Sequence, residues 1–169
     1  DYREMIENGA DVIEGAKAVK QYLNIAKVVI AIETNKPEAI KKMSELCKGL
    51  DGFEVKTLPS VYPRGAEKIL IESVTGKEVP KGGLPADVGV IVMNVASVGF
   101  VGRYLATGMP LTTKRITVDG DAVAKAQNVE VVIGTPIKDV IEFCGGYTEE
   151  AGKILYGGPM MGTAVSSDE

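Results

Sequence analysis

The sequence predicts an α/β fold with a parallel sheet over residues 1–109, followed by a small α+β unit over residues 110–169. In the first part, helical spacing of apolar residues alternates with short β-branched runs, which is the order of βαβ units. The pattern changes at Met109-Pro110, after which short alternating strands surround one short helix. A chain of 169 residues has room for one medium and one small unit.

The first part opens with a long amphipathic helix, because apolar residues recur there every three or four positions. Those positions are Met5, Ile6, Ala10, Ile13, Ala16, Val19 and Leu23. Residues 27–33 then form an apolar β-branched run, typical of a strand buried on both faces. Pro37 suits the first turn of the next helix, which Asp51-Gly52 ends, and residues 53–58 predict a second strand.

The remainder of the first part predicts two more helices and one strand. Residues 65–74 read as a short helix closed by Gly76, and residues 77–87 form a loop rich in glycine and proline. Residues 88–93 are a further apolar run and predict another buried strand. Asn94 is placed to cap a helix that continues to Gly108.

Residues 110–169 predict strands at 112–118 and 129–133 around the turn residues Asp119-Gly120-Asp121. A helix over about residues 136–143 and a strand near residues 153–156 complete the unit. The order strand, strand, helix, strand suits a β-grasp module, although other small α+β folds share it.

Composition excludes several functional classes. The chain carries 19 basic and 23 acidic residues with no basic stripe, so a nucleic-acid partner is not expected. It has no histidine, which removes histidine-based triads and histidine metal ligands, and we expect no metal site. Cys47 and Cys144 stand far apart, too few for an iron–sulfur cluster, and are expected to be buried free thiols.

No apolar run reaches the length of a membrane span, so direct membrane insertion is not expected. The chain begins at Asp1 inside a helical pattern and without a methionine. We therefore expect it to be part of a longer protein.

The segment Tyr62-Pro63-Arg64-Gly65-Ala66-Glu67-Lys68 is the first candidate for a ligand site. An aromatic ring, a glycine and a carboxylate lie where a loop enters a helix. Glycine allows close approach of a ligand to the backbone, and a glutamate accepts hydrogen bonds from ribose hydroxyls or a carboxamide. The alternative is structural, since a glutamate in the first turn of a helix is favourable for the helix dipole alone.

Asn94 and Ser97 are the second candidates, because polar groups at the carboxyl end of a buried strand commonly bind ligands in α/β sheets. The alternative for Asn94 is a helix N-cap, which the pattern favours. Residues 145–146 and 157–162 are rich in glycine, but neither stretch has dinucleotide or Walker spacing, so both are expected to be turns.

Five ordered blocks together resemble the C subunit of the Rnf-type electron-transport complexes, and the resemblance covers essentially the whole chain. They are residues 62–68 (YPRGAEK), 75–80 (TGKEVP), 82–90 (GGLPADVGV), 94–95 (NV) and 157–162 (GGPMMG). The central part of that family is similar to the flavin-carrying subunit of respiratory complex I.

The resemblance implies a partial Rossmann-like flavin and NADH domain over residues 1–109 and a β-grasp, soluble-ligand-binding module over residues 110–169. It implies a cytoplasmic, peripheral subunit that passes electrons from NADH through FMN to 4Fe-4S clusters held outside this segment, with ferredoxin and the other subunits as partners. Tyr62, Gly65 and Glu67 fall on positions that line the flavin and nicotinamide pocket, and Asn94 and Ser97 on a turn near the flavin phosphate and ribityl chain. No catalytic side chain is implied within the segment.

The sequence also departs from this pattern. Complex I has two adjacent glutamates where this chain has Ala66 and Glu67, so one acceptor is lost. The glycine-rich flavin loop is expected before Asp1 and the four-cysteine cluster motifs after Glu169, so the segment alone is expected to be inactive. Two other functions stay open: a cobalamin reductase of bacterial microcompartments, and a docking module without a cofactor.

Overall fold

The computed structural model describes residues 1–168, and the chain divides into two compact units, residues 1–109 and 110–169. The helices of the first unit are α1 Tyr2–Glu7, α2 Gly9–Tyr22, α3 Pro37–Cys47, α4 Glu67–Thr75 and α5 Val95–Thr107. Its strands are β1 Val28–Glu33 and β2 Phe53–Leu58. The second unit contains β3 Thr113–Val118, β4 Gln127–Val132, α6 Ile137–Phe143, β5 Ile154–Tyr156 and β6 Thr163–Val165.

The parallel pair of the first unit confirms the α/β prediction. β1 and β2 run parallel in a register that begins with Val28 opposite Phe53, and α3 forms the crossover between them. Pro37 is the first residue of α3, where the missing N–H costs nothing. The expectation that the first strand is buried on both faces is wrong, because in β1 only Ile32 is buried and the other positions are half-buried. A two-stranded sheet leaves each strand with one free edge.

The predicted long first helix is two helices, because the chain breaks at Asn8. Asn8 leaves helical geometry at φ −121° and ψ 27°, and its side-chain Nδ2 donates to Glu4 Oε2 at 3.1 Å. The break brings Gly9 against α3, where an added Cβ would lie 2.8 Å from Leu46 Cδ1. The apolar spacing continues through Asn8, so periodicity alone does not show the break.

The predicted strand at residues 88–93 is wrong. Val88 ends a 3₁₀ turn over Pro85–Val88, and Gly89 follows in the left-handed region at φ 70°. Residues 90–94 then run without a strand partner in the described chain, and the Ile91 and Met93 side chains are exposed. An apolar run becomes a strand only when another strand pairs with it, and that pairing is not local information.

The backbones of helices α2 and α5 are in direct contact. α2 and α5 cross at Gly15 and Gly102, where an added Cβ would overlap the carbonyl oxygens of Val98 and Asp11 respectively. Arg103 of α5 forms ion pairs with buried Glu4 and with Asp11. The core beside this crossing contains Met5, Val12, Ile13, Ile32, Ala39, Met43 and Cys47.

The second unit follows the predicted order, with one further strand that the pattern does not predict. β3 and β4 are antiparallel, and their apolar face packs with Val140 and Cys144 of the α6 region. β5 pairs with β6, and the glycine-rich residues 157–162 form the turn between them, as expected. Both cysteines, Cys47 and Cys144, are free and buried, which confirms that expectation.

Candidate functional site

The carboxyl ends of β1 and β2 are joined by direct contacts between the loops that follow them. Thr34 N donates to Leu58 O at 2.8 Å, which extends the parallel ladder by one bond. Asn35 Nδ2 donates to Ser60 Oγ at 3.0 Å, so the loop before α3 holds the loop after β2. This edge therefore carries the start of α3 and the segment that leads to Tyr62, which is where open α/β sheets bind ligands.

The Tyr62 side chain is 81% exposed at this edge. The backbone beyond it turns tightly, with Arg64 N donating to Val61 O and Ala66 N to Pro63 O, each at 2.8 Å. Gly65 borders open space, since an added Cβ would meet nothing within 4 Å. A planar ligand therefore has both an aromatic surface and an unobstructed backbone to approach.

Helix α4 begins here without a side-chain cap. Its N-cap is Ala66, whose methyl group cannot accept a hydrogen bond from the first-turn amides. The Glu67 carboxylate lies in that first turn, is exposed, and has no hydrogen-bond or ion-pair partner among residues 1–168. Free amides and a free carboxylate side by side can donate to and accept from one polar ligand.

The start of α5 holds the other two predicted residues. Asn94 Oδ1 accepts from Ala96 N at 2.9 Å, which confirms the N-cap interpretation. Its Nδ2 donates to the Asp1 carboxylate at 3.0 and 3.2 Å. Ser97 lies in the first turn of α5 and is exposed. A ligand contact from Asn94 would therefore have to share an amide that already serves two partners.

Hydrogen bonds connect the two groups of residues indirectly. Asn94 holds Asp1 at the start of α1, and the neighbouring Tyr2 hydroxyl donates to Glu38 Oε2 in the first turn of α3 at 2.5 Å. The start of α3 is in turn tied to the loop after β2 through Asn35. The amino ends of α1, α3 and α5 are thus linked to the edge of the sheet, and this brings positive helix ends toward it.

The structure brings Tyr62, Gly65 and Glu67 together in one loop and helix start, but it does not join them directly to Asn94 or Ser97. Within the described residues no hydrogen bond spans the two groups. Sequence reasoning missed Arg64 and Asp1, which contact Ser73 and Asn94. Arg64 lies inside the candidate segment, but its partner nine residues later could not be inferred from spacing.

The Tyr2 hydroxyl beside Glu38 illustrates the electrostatics of this edge. Its hydrogen bond to the Glu38 carboxylate raises the pKa of Tyr2 above the ordinary value, because ionisation would place two negative charges together.

In the core of the same unit, burial raises the pKa of the Cys47 thiol. Cys47 is thus suited to packing and not to nucleophilic chemistry.

Two open, shallow depressions of the first unit lie elsewhere. One of about 450 Å³ is bordered by Lys17, Lys20, Asn24 and Phe53, near the amino ends of the strands. Another of about 460 Å³ lies between α2 and α5. The surface around Tyr62 and Glu67 is open, so these residues fit one face of a ring system. The chain has no GxGxxG sequence, which is the motif that holds the phosphates in dinucleotide-binding folds.

Comparison with known families divides the chain at nearly the same place as the structure. Residues 1–103 match the family described as the Nuo51 FMN-binding domain, and residues 115–164 match the SLBB domain. No helix in residues 1–168 has both the length and the apolar character to cross a lipid bilayer.

Relatives match over almost all of the chain. It is 46% identical over 167 residues to the C subunit of the proton-translocating ferredoxin:NAD(+) oxidoreductase complex of Clostridium ljungdahlii, covering 99% of this chain and 36% of that protein. It is 41% identical to the Na(+)-translocating counterpart of Acetobacterium woodii, covering 96% and 37%. It is 38% identical to the C subunit of the ion-translocating oxidoreductase complex of Rhodobacter capsulatus, covering 99% and 32%. The chain thus spans about a third of the length of these relatives.

Proposed function

The chain belongs to the Nuo51 FMN-binding domain family, and from this we propose that it is the central part of an NADH-oxidising, FMN-dependent subunit. The subunit would act in an ion-translocating ferredoxin:NAD oxidoreductase complex, as the names of its relatives indicate. The observation that carries the proposal is the family match over residues 1–103 together with the exposed Tyr62 and the unpartnered Glu67 at the carboxyl edge of the sheet. The full-length protein is the polypeptide of the relatives' length that contains this chain.

We further propose how the residues share the work. The Tyr62 ring packs against a planar ring, Gly65 admits the ligand to the backbone, and the Glu67 carboxylate accepts hydrogen bonds from a ribose or carboxamide. Asn94 and Ser97 contribute polar groups near the phosphate end. Bound FMN supplies the hydride and electron chemistry, and the protein's task is to hold the rings in register.

The two units have different parts in this proposal. The β1–β2 pair is the core of a Rossmann-like sheet that other segments of the full-length protein extend, which accords with the free edges of both strands. The SLBB unit is a β-grasp module that docks other subunits of the complex. 4Fe-4S clusters held elsewhere in the full-length protein would supply the path for electrons between the flavin and ferredoxin. The subunit is peripheral on the cytoplasmic face of the membrane.

The test is NADH oxidation by the full-length protein with an artificial electron acceptor. We expect Tyr62→Ala and Glu67→Ala each to lower kcat/KM for NADH about tenfold, equivalent to about 1.4 kcal/mol of transition-state stabilisation. Tyr22→Ala and Glu45→Ala are matched controls, because both residues are exposed and lie near the carboxyl ends of other helices. Full activity in both site variants would instead favour a docking module without a cofactor.

The 169-residue chain alone tests a second part of the proposal. Since it provides one face of the pocket and no phosphate cradle, we expect FMN and NADH to bind it weakly or not at all. Titration calorimetry that gave a micromolar Kd for FMN would contradict this expectation.

A further inference from the structure

Arg64 lies between Tyr62 and Glu67 in sequence, and its side chain runs back along α4. Its Nη1 donates to Ser73 Oγ at 2.6 Å, and Ser73 Oγ in turn donates to Ile69 O at 2.7 Å. Ser73 is in the second turn of α4, so the Arg64 side chain reaches beyond the first turn, which Glu67 begins. The loop is therefore fastened to the far end of the helix and not only to its start.

This contact controls the path of the loop. The two tight turns, Arg64 N to Val61 O and Ala66 N to Pro63 O, overlap at Pro63 and Arg64. Between residues 61 and 67, Arg64 makes the one side-chain hydrogen bond found in the described part of the chain. Fixing Arg64 therefore fixes the direction in which Tyr62 leaves the sheet edge relative to Glu67.

Burial of the Arg64 guanidinium has an unfavourable contribution to stability. Its Nε is buried and has no hydrogen-bond partner among residues 1–168, and a buried N–H without an acceptor is unfavourable. A side chain of similar length without the donors would avoid that cost. What Arg64 contributes is thus a fixed loop conformation, which is expected of a residue that holds a site in place.

We propose that Arg64 is a positioning residue that sets the spacing between the Tyr62 ring and the Glu67 carboxylate through its hydrogen bond to Ser73. The proposal rests on the proposed function, because it assigns those two groups to the nicotinamide and flavin site. Arg64 acts through the loop and does not itself touch the reacting atoms.

The experiment compares Arg64→Met, Ser73→Ala, Arg64→Lys and the double variant in the full-length protein. In flavin-free protein, we expect Arg64→Met and Ser73→Ala to speed hydrogen exchange at the amides of residues 64 and 66 about tenfold. In the flavin-loaded protein, both should lower kcat/KM for NADH about tenfold, while the midpoint of thermal unfolding stays close to wild type. Arg64→Lys, which keeps a cationic donor, should recover part of the loss.

Because the two side chains act as one contact, the double variant should be no worse than Arg64→Met alone. Arg3→Met and Ser44→Ala are controls, since both residues are exposed and lie on other helices. Unchanged exchange at residues 64 and 66, or additive losses in the double variant, would overturn the positioning role.

The same set of variants separates the two proposals. If Tyr62→Ala and Glu67→Ala lose NADH oxidation while Arg64→Met keeps both turnover and exchange, only the positioning role fails. If Tyr62→Ala and Glu67→Ala keep full turnover, the proposed function fails and the positioning role fails with it.

Discussion

The crossing of α2 and α5 and the loop before α4 use glycine for opposite purposes. At the crossing, Gly15 and Gly102 let two helix backbones touch, and any side chain would overlap a carbonyl oxygen. In the loop, Gly65 faces open space beside the 81% exposed Tyr62. Stability and ligand access are therefore assigned to different residues of one unit, and each can be changed without the other.

The largest effect is expected from Gly15→Ala. The new methyl group would overlap the Val98 backbone, so α2 and α5 must separate, and we expect a loss of about 2–4 kcal/mol in the free energy of unfolding. Urea denaturation followed by circular dichroism measures it. Gly65→Ala is the matched control and should leave the urea midpoint unchanged. Equal midpoints for the two variants would show that the helices are not in backbone contact.

The next effect concerns the ion pair beside the crossing. Glu4 is buried, accepts from Arg103 and Asn8, and packs closely against Gly99, so little water can reach its carboxylate. We expect Glu4→Gln to lower the free energy of unfolding by about 2 kcal/mol, because it weakens a charged hydrogen bond in a place without room for rearrangement. Glu7→Gln changes an exposed carboxylate of the same helix and should cost less than about 0.5 kcal/mol. Similar losses from both would mean that burial of Glu4 is unimportant.

The third effect belongs to the loop. Gly65→Ala fills the open space beside the backbone, so we expect the full-length protein to retain its stability and bind FMN about tenfold more weakly, or by about 1.4 kcal/mol. Fluorescence titration of the flavin-free protein measures the Kd. Gly158→Ala is a control, since its added Cβ also meets nothing within 4 Å and it lies in the second unit. Unaltered FMN affinity in Gly65→Ala would remove Gly65 from the proposed site.

The sequence predicts those elements of the fold that depend on local signals, and it fails for others. Local signals were sufficient for Pro37 at the start of α3, for Asn94 as an N-cap and for the β1–β2 pair. They failed for residues 88–93, where an apolar run has no strand partner, and for β6, a three-residue strand defined only by its pairing with β5. The run at residues 88–93 would be a strand only if another strand paired with it, and the described residues contain none that does. β6 has three residues, which is too short for a periodic pattern to identify.

The candidate site shows the same pattern. Tyr62, Gly65 and Glu67 could be proposed from the motif, because loop and helix start are adjacent in sequence. The link from Asn94 to Asp1 spans most of the first unit, and the link from Arg64 to Ser73 depends on how the loop folds along α4. Only the three-dimensional structure shows those contacts, and they are the ones that orient the predicted residues.

The smallest effect is expected at the opposite edge of the sheet, where Lys27 and Glu54 form an exposed ion pair at 2.5 Å. The hydrogen bond from Lys27 lowers the pKa of Glu54, so the pair stabilises the fold above the unfolded-state pKa and loses that effect as the pH falls through the folded-state pKa. Lys27→Met should therefore raise the Glu54 pKa toward its ordinary value, as measured by a carbon-detected NMR titration. The urea midpoint should fall only slightly and NADH oxidation should not change, because both charges lie in water. Lys48→Met is the control and should leave the Glu54 titration unaltered. A shift in the urea midpoint as large as that of Gly15→Ala would show that surface charge, and not the helix crossing, sustains this unit.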